Sequence, residues 1–223
     1  MSTWRGIVSI IGLLAATAAW AAGVVAIEDW SQYPVGAKGL PQGWQGQQWG
    51  TPAYDFTVVA DGGTKVLHLK SNNDGSTIAK SIKGKVDLKA TPLLEWRWKA
   101  ITLPKGGDSR HKATDDQACQ IYVGWERVPK QLRSQLIGYV WDTTAPAGTI
   151  TKSEKTGTVT YLIVRSGAAD LGKWITERRN VVDDFKTIYG DVPDAPDLIS
   201  IAIDTNDTNS TAECFVGPIV FKP

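Results

Sequence analysis

The stretch LLEWRWKA (93–100) alternates apolar and charged residues as a half-buried β-strand does. Leu94, Trp96 and Trp98 share one face of this strand, and the charged residues between them share the other. QIYVGWE (120–126) and LIGYVWD (136–142) are also strand-like, but they carry apolar or aromatic residues on both faces. Strands of this kind are covered on both sides, so these two runs predict the middle of a sheet.

Short strand-like runs fill most of the remaining chain, separated by turn signals such as Asp61-Gly62-Gly63. The exception is NVVDDFKTIYG (180–190), where Asn180 can cap a helix and Gly190 can end it. The predicted fold is therefore all-β: an antiparallel, jelly-roll-like β-sandwich with one short helix near residues 180–189.

The N-terminal residues have the form of a secretory signal peptide. Arg5 supplies the positive end, IVSIIGLLAATAAW (7–20) the apolar run, and Ala19-Trp20-Ala21 a small-x-small cleavage site. An uncleaved anchor is the alternative, but about 16 apolar residues fall short of the ~20 that a spanning helix needs. We expect residues 1–22 to be a signal peptide and residues 23–223 to form a single β-sandwich domain, with no integral membrane segment after cleavage.

Charge and cysteine content narrow the class of protein. The net charge is only +1 and no run of Lys and Arg occurs, so nucleic acid is not an expected partner. Cys119 and Cys214 both fall in predicted strands. In an oxidising compartment they could pair, closing a loop of roughly 95 residues and stabilising the fold by about 4 kcal/mol. The alternative is two separate buried thiols.

Polar side chains on the second faces of the central strands need partners, which are either each other or a ligand. The candidate ligand-binding residues, expected along one sheet face and its edge, are Arg97, Asp116, Tyr122, Tyr139, Trp141, Arg165, Trp174 and Asp183. The rings would stack on sugar or acyl surfaces, and the arginines would grip a carboxylate, sulfate or phosphate. A structural network, with Arg97 or Arg165 paired to Asp116 or Asp183, explains the same residues without a ligand.

Three functions follow from these residues. The first is a non-catalytic module that binds a glycan or another polar small molecule, and the second is a structural or interaction protein of the cell envelope. The third is a glycoside hydrolase or lyase that uses Asp116 and Asp183, since glycosidic hydrolysis needs two carboxyl groups about 5–9 Å apart. No complete catalytic motif is present in the sequence.

The stretch IDTNDTNS (203–210) offers oxygen ligands from Asp204, Asn206 and Asp207. Such a turn could hold Ca²⁺, but it lacks the spacing and the glutamate of an EF-hand loop. An Asx turn between two strands explains it with fewer requirements and is favoured. We therefore expect no cofactor, with a calcium site near Asp204 and Asp207 as the alternative.

From residue 92 onward the order of short motifs resembles that of one family. The motifs are PLLEWRWKA, TDDQACQIYVGW, GYVWD, VRSG, GKWITERRNVVDDFKTIYG, IAIDTNDT and FVGPIVF. Their order is similar to that of the secreted bacterial family called domain of unknown function 3047, over nearly the whole of residues 23–223. The resemblance implies export to the periplasm of a Gram-negative cell or beyond, and a sandwich similar to carbohydrate-binding jelly rolls. Gly217-Pro218-Ile219 stands where comparable jelly rolls often carry Asp-Asp-Ile.

Overall fold

The computed structural model describes residues 23–223, so the predicted signal peptide lies outside the described residues. These residues form strands joined by loops, two α-helices and a 3₁₀ turn at Lys112–Thr114. In chain order the strands and helices are β1 (Val25–Glu28), β2 (Gln45–Gly46), β3 (Phe56–Asp61), β4 (Thr64–Asn72), β5 (Gly75–Ser81), β6 (Leu93–Thr102), β7 (Cys119–Trp125), α1 (Lys130–Arg133), β8 (Gln135–Asp142), β9 (Ile150–Lys152), β10 (Val159–Ser166), β11 (Ile175–Asn180), α2 (Val181–Tyr189), β12 (Leu198–Asp204) and β13 (Thr211–Lys222).

The strands form two sheets that pack face to face. Sheet A has the order β11-β6-β13-β4-β3, with β1 also paired to β13, and sheet B has the order β2-β5-β12-β7-β8-β10-β9. The predicted all-β sandwich is confirmed. Neighbouring strands are antiparallel, as expected, except for the parallel pair of β8 and β10.

Aromatic residues from both sheets meet between them. The ring centroids of Trp96 on β6 and Tyr139 on β8 are 5.3 Å apart, and those of Trp98 and Trp141 are 5.9 Å apart. All four side chains are fully buried. Because large rings remove the most apolar surface from water, this contact explains why the aromatic face of LLEWRWKA turns inward.

A disulfide joins the two sheets across this core. Cys119 on β7 pairs with Cys214 on β13, and their Cα atoms are 6.1 Å apart. Of the two states that the sequence left open, the structure therefore has the paired one. The bridge links residues 95 positions apart in the chain, so it restricts the unfolded state strongly.

Residues 143–157, here called the cover segment, connect β8 to β10 and include β9, the edge strand of sheet B. Ala145 packs with Val140 and Tyr161 in a second apolar cluster on the outer face of sheet B, apart from the core between the sheets. The segment leaves β8, contributes β9 and returns as β10, and this crossover makes β8 and β10 parallel. The predicted coverage of the central strands on both faces is confirmed.

Helix α2 lies where the sequence predicts it. The side-chain oxygen of Asn180 accepts hydrogen bonds from the backbone N–H groups of Val182 and Asp183, at 3.1 and 3.3 Å. Gly190 ends the helix with a φ of 75°, a left-handed conformation that glycine adopts without steric cost. Helix α1 was not predicted, because its four residues have neither an apolar period nor a capping side chain.

Candidate functional site

Two of the predicted ligand-binding rings lie in the closed core. Tyr139 and Trp141 face sheet A and are at most 1% exposed. The Tyr139 hydroxyl donates to Asp184 at 2.9 Å, and the Trp141 indole N–H donates to the carbonyl oxygen of Gly167 at 3.1 Å. The expectation that these rings line an accessible sheet face is wrong, because the facing sheet fills the space that a ligand would need.

Tyr122 lies on the opposite, outer face of sheet B, in the apolar cluster that includes Ala145 of the cover segment. Its hydroxyl donates to the side chain of Gln120, and burial raises its pKa well above the usual value. On the same face, the Tyr161 hydroxyl donates to Asp115 at 3.2 Å. The polar groups of this face are thus satisfied by one another, as the alternative without a ligand anticipated.

The two predicted arginines lie apart and have different partners. The Arg165 guanidinium contacts Glu177 at 2.6 Å and Asp170 at 3.2 Å, so it forms an ion-pair network, although with neither of the predicted carboxylates. Arg97 lies on the outer face of sheet A, where its guanidinium carbon is 5.0 Å from the ring centroid of Trp174. Among the predicted site residues, the structure brings Arg97 and Trp174 together.

The predicted pair of Asp116 and Asp183 does not form an acid/base site. Asp116 is fully buried and accepts hydrogen bonds from the backbone N–H groups of Asp207 and Thr208, at 3.2 and 2.6 Å. Asp183 is exposed in the first turn of α2. Asp116 therefore braces the turn after β12, and Asp183 lies at the N-terminus of a helix, a position that favours negative charge.

An open cleft that sequence reasoning missed lies at one end of sheet B. We call it the Trp49 cleft; its volume is about 480 Å³. Its lining consists of one aromatic ring, backbone and a dense set of polar side chains, namely Gln47, Trp49, Gly50, Thr51, Asn73, Asp74, Gly75, Thr77, Lys155, Asp204, Asn206 and Asp207.

The indole of Trp49 is presented to solvent by a braced loop. Trp49 is 65% exposed, whereas Trp96, Trp98 and Trp141 are buried. The amide nitrogen of Gln47 donates to the carbonyl oxygens of Trp49 and Gly75, at 3.0 and 3.1 Å. The amide oxygen of Gln47 accepts from the backbone N–H of Thr77 at 2.7 Å, which ties the loop to β5. The signal in the sequence was the position of this tryptophan in QGQQWG (45–50). This run lacks the alternation of a strand, so no apolar face is predicted to bury the ring.

Acidic residues and one lysine form the floor of the Trp49 cleft. The Lys155 ammonium, from the cover segment, pairs with Asp207 and lies 3.8 Å from Asp204. Burial raises the pKa of Asp204 to about 7, an effect that Lys155 opposes and Asp116 reinforces. Burial alone would lower the pKa of Lys155, but Asp207 and its other acidic neighbours raise it. The floor therefore offers a ligand hydroxyl the carboxylate of Asp204, beside an ion pair of Lys155 and Asp207.

The same carboxylates were candidates for a calcium site. Oxygen atoms of Asp116, Asp204 and Asp207 lie within 4.8 Å of one another, and carboxylate oxygens suit Ca²⁺. However, Thr208 donates both its backbone N–H and its hydroxyl to Asp116, each at 2.6 Å, and Lys155 pairs with Asp207. Asp116 and Asp207 are thus engaged by donors of the chain itself, and Asp204 alone of the three lacks a close donor, which is too few free carboxylates for a calcium ion.

A family model described as "Protein of unknown function (DUF3047)" matches residues 42–220, so the chain belongs to this family. The resemblance inferred from the ordered motifs is thereby confirmed. No curated protein matches the chain. Among residues 23–223, no helix is long and apolar enough to cross a membrane.

Solved structures with a similar fold include carbohydrate-binding modules. A family 11 module from Clostridium thermocellum, in complex with a β-1,3-1,4-mixed-linked tetrasaccharide, is 10% identical, with a TM-score of 0.43 over 91% of this chain and 97% of that chain. A family 30 module from the same organism is 13% identical, with a TM-score of 0.43 over 88% and 96%. The K1 cleaved adhesin domain of Lys-gingipain from Porphyromonas gingivalis is 10% identical, with a TM-score of 0.40 over 89% and 97%. At these identities the likeness concerns the β-sandwich fold alone.

Proposed function

We propose that this protein is an exported, non-catalytic module that binds a carbohydrate in the Trp49 cleft. The observation that carries the proposal is the exposed indole of Trp49, held by Gln47 above a cleft of polar side chains. The proposal keeps the ligand class expected from the sequence and moves the site to the end of sheet B.

The exposed indole of Trp49 is available to stack on a ligand. Of the large apolar side chains exposed within residues 23–223, Trp49 is the aromatic one. A sugar ring has an apolar C–H face that packs on an indole and a rim of hydroxyls that need hydrogen-bonding partners. The Trp49 cleft supplies a flat ring and polar side chains within one concavity, which matches both requirements.

Charge favours a neutral sugar over an acidic one. Asp74, Asp204 and Asp207 line the cleft, and Lys155 is its one cationic side chain among the lining residues. Hydroxyl groups can donate to carboxylates, whereas a uronate or sulfate would be repelled by them. The disulfide between the sheets supports export, because such bonds persist in oxidising compartments such as the periplasm or the cell exterior.

Removal of the Trp49 ring tests the proposal. The purified protein is screened on an array of neutral and acidic glycans, and the best neutral glycan is measured by titration calorimetry. The Trp49→Ala variant is expected to weaken binding about tenfold or more, because it loses ring stacking and buried apolar area. The matched control is Leu132→Ala, which truncates an exposed apolar side chain outside the cleft and should leave the affinity unchanged.

A second variant narrows the cleft instead of removing its ring. A Cβ added at Gly75 would lie 2.8 Å from the carboxylate oxygen Oδ1 of Asp204, so Gly75→Ala should also weaken binding. Failure of every neutral glycan to bind, or equal affinity in the Trp49→Ala variant, would contradict the proposal. Release of reducing sugar from a bound glycan, abolished by Asp204→Asn, would replace binding with hydrolysis as the function.

A further inference from the structure

The outer face of sheet A carries a cluster of rings and cations that the carbohydrate proposal does not use. Trp174, from the loop before β11, lies across this face with its ring beside Phe215 of β13, at a centroid distance of 6.3 Å. Gly217 makes room for this arrangement. A Cβ at Gly217 would lie 3.2 Å from the Cβ of Arg97 and 3.6 Å from the Trp174 ring.

The rings hold the cations in fixed positions. The Arg97 guanidinium is 5.0 Å from the Trp174 centroid, and the Lys99 ammonium is 5.1 Å from Trp174 and 4.4 Å from Phe215. His68 stacks on Phe215 at 4.1 Å. A cation over an aromatic face is attracted by the ring quadrupole, so Trp174 restricts the orientations that Arg97 can adopt.

The basic neighbours of Arg97 on this face are each paired with an acidic side chain. Lys99 forms an ion pair with Asp61, and His68 contacts Glu213 at 2.7 Å. Asp61 also accepts from the Trp174 indole N–H at 3.2 Å, through the same oxygen, Oδ2, that contacts Lys99. The hydrogen bond from Lys99 lowers the pKa of this carboxyl, and the Arg97 charge helps to lower it.

Arg97, by contrast, has no hydrogen bond or ion pair with any residue in the described part of the chain. Its side chain is half-buried. A guanidinium presents five N–H donors in a planar fork that matches two oxygens of a carboxylate, sulfate or phosphate. A fork oriented by a ring loses less conformational freedom on binding than a mobile one.

We infer that Arg97 and Trp174 form a second ligand site, which binds an oxyanion group through the guanidinium fork. The site lies on the outer face of sheet A, whereas the Trp49 cleft belongs to sheet B, so it stands independently of the carbohydrate proposal. Its ligand is a carboxylate, sulfate or phosphate group, which differs from the neutral sugar that suits the acidic cleft.

The test is a titration followed by NMR signals of the Arg97 Nε–H and the Trp174 indole N–H. Sodium phosphate, sulfate and acetate are added to the protein in separate experiments, with sodium chloride at equal ionic strength as the reference. A saturable shift with phosphate or sulfate identifies a tetrahedral anion as the ligand group, and one with acetate alone identifies a carboxylate.

Variants separate a ligand site from a purely structural contact. Arg97→Gln should weaken the titrated binding about tenfold or more, because charge-assisted hydrogen bonds are lost. Arg97→Lys keeps the charge without the fork and should fall between wild type and Arg97→Gln. Arg178→Gln is the matched control, since Arg178 already pairs with Glu95 at 2.7 Å, and it should bind as wild type does.

Two results would overturn the inference. One is the absence of a saturable shift with all three anions, and the other is a shift that chloride reproduces or that persists unchanged in Arg97→Gln. Neither result depends on the outcome of the glycan array, because the probes are inorganic anions and acetate, and the signals belong to sheet A.

Discussion

The outer faces of the two sheets both carry polar and aromatic side chains, but one face is covered and the other is open. On sheet B, Tyr122 and Tyr161 are buried in a cluster that includes Ala145 of the cover segment, and their hydroxyls find partners within the protein. On sheet A, no comparable segment covers Arg97 and Trp174, which remain half-exposed within residues 23–223. Polar groups on a strand therefore do not by themselves indicate a ligand-binding face. Whether another segment covers that face determines whether a ligand can reach them.

The coverage of a sheet face also determines where a binding site can form. A covered face must satisfy its polar groups internally, because an unpaired buried donor or acceptor costs about 1–3 kcal/mol. On an open face, water can accept a hydrogen bond from an unpaired donor until a ligand binds. The Trp49 cleft combines both cases. It is open to solvent, but Lys155 of the cover segment pairs with acidic residues in it at the end of sheet B.

The largest expected effect is on the covered face. Asp115 accepts hydrogen bonds from Gln117 at 2.7 Å and from Tyr161 at 3.2 Å, and it is almost fully buried. Asp115→Ala should lower the free energy of unfolding by about 3 kcal/mol, because both donors lose their acceptor. Urea denaturation measures this, with Asp55→Ala as the exposed control. Equal stability of the two variants would mean that the covered network does not stabilise the fold.

A smaller effect is expected on the pH dependence of the free energy of unfolding, through Asp204 beside Lys155 of the cover segment. Folding raises the pKa of Asp204 from 3.8 to about 7, so the folded state favours its protonated form. The stabilisation is complete below pH ~4 and is lost as the pH rises through about 7. Asp204→Asn should remove this decline and stabilise the protein at pH 8 by about 2 kcal/mol, because solvent screens the carboxylate, whose side chain is 24% exposed.

Unfolding free energies measured between pH 4 and pH 8 test this sign. Asp55→Asn, on an exposed loop, should retain the wild-type dependence. A wild-type stability that rises across this range, with Asp204→Asn unchanged, would show that Asp204 is not the group responsible.

The smallest effect is expected on the open face. Trp174→Ala should lower the free energy of unfolding by about 1 kcal/mol or less, because exposed cation–π contacts contribute little. Differential scanning calorimetry measures the change. Trp174→Phe, which keeps an aromatic ring, should have a stability between those of the wild type and Trp174→Ala. A loss as large as that for Asp115→Ala would mean that this face is part of the structural core and would weaken the contrast between the sheets.

Much of the fold was predictable from local pattern. The strand LLEWRWKA, the capped helix α2 and the turn at Asp61-Gly62-Gly63 follow from side-chain period, capping chemistry and positive φ. The parallel pairing of β8 with β10 was not predictable. It results from the path of the cover segment, a tertiary crossover without a local signal.

The site was predicted less well than the fold. Alternation places Tyr139 and Trp141 on one face, but it does not say whether that face meets another sheet or solvent. Arg97 and Trp174, 77 positions apart in the chain, come together only through the pairing of β6 with β11. Trp49 was overlooked because an irregular loop carries no periodicity from which exposure could be judged.

The sequence by itself determined that this protein is a β-sandwich with an aromatic strand core, because side-chain alternation and turn residues act over a few positions. Only the tertiary structure decided which aromatic and charged groups face water and which contact each other. It also decided whether the two cysteines lie close enough to form a disulfide. The physical reason is that burial depends on what packs against a face, and the packing segment comes from a distant part of the chain.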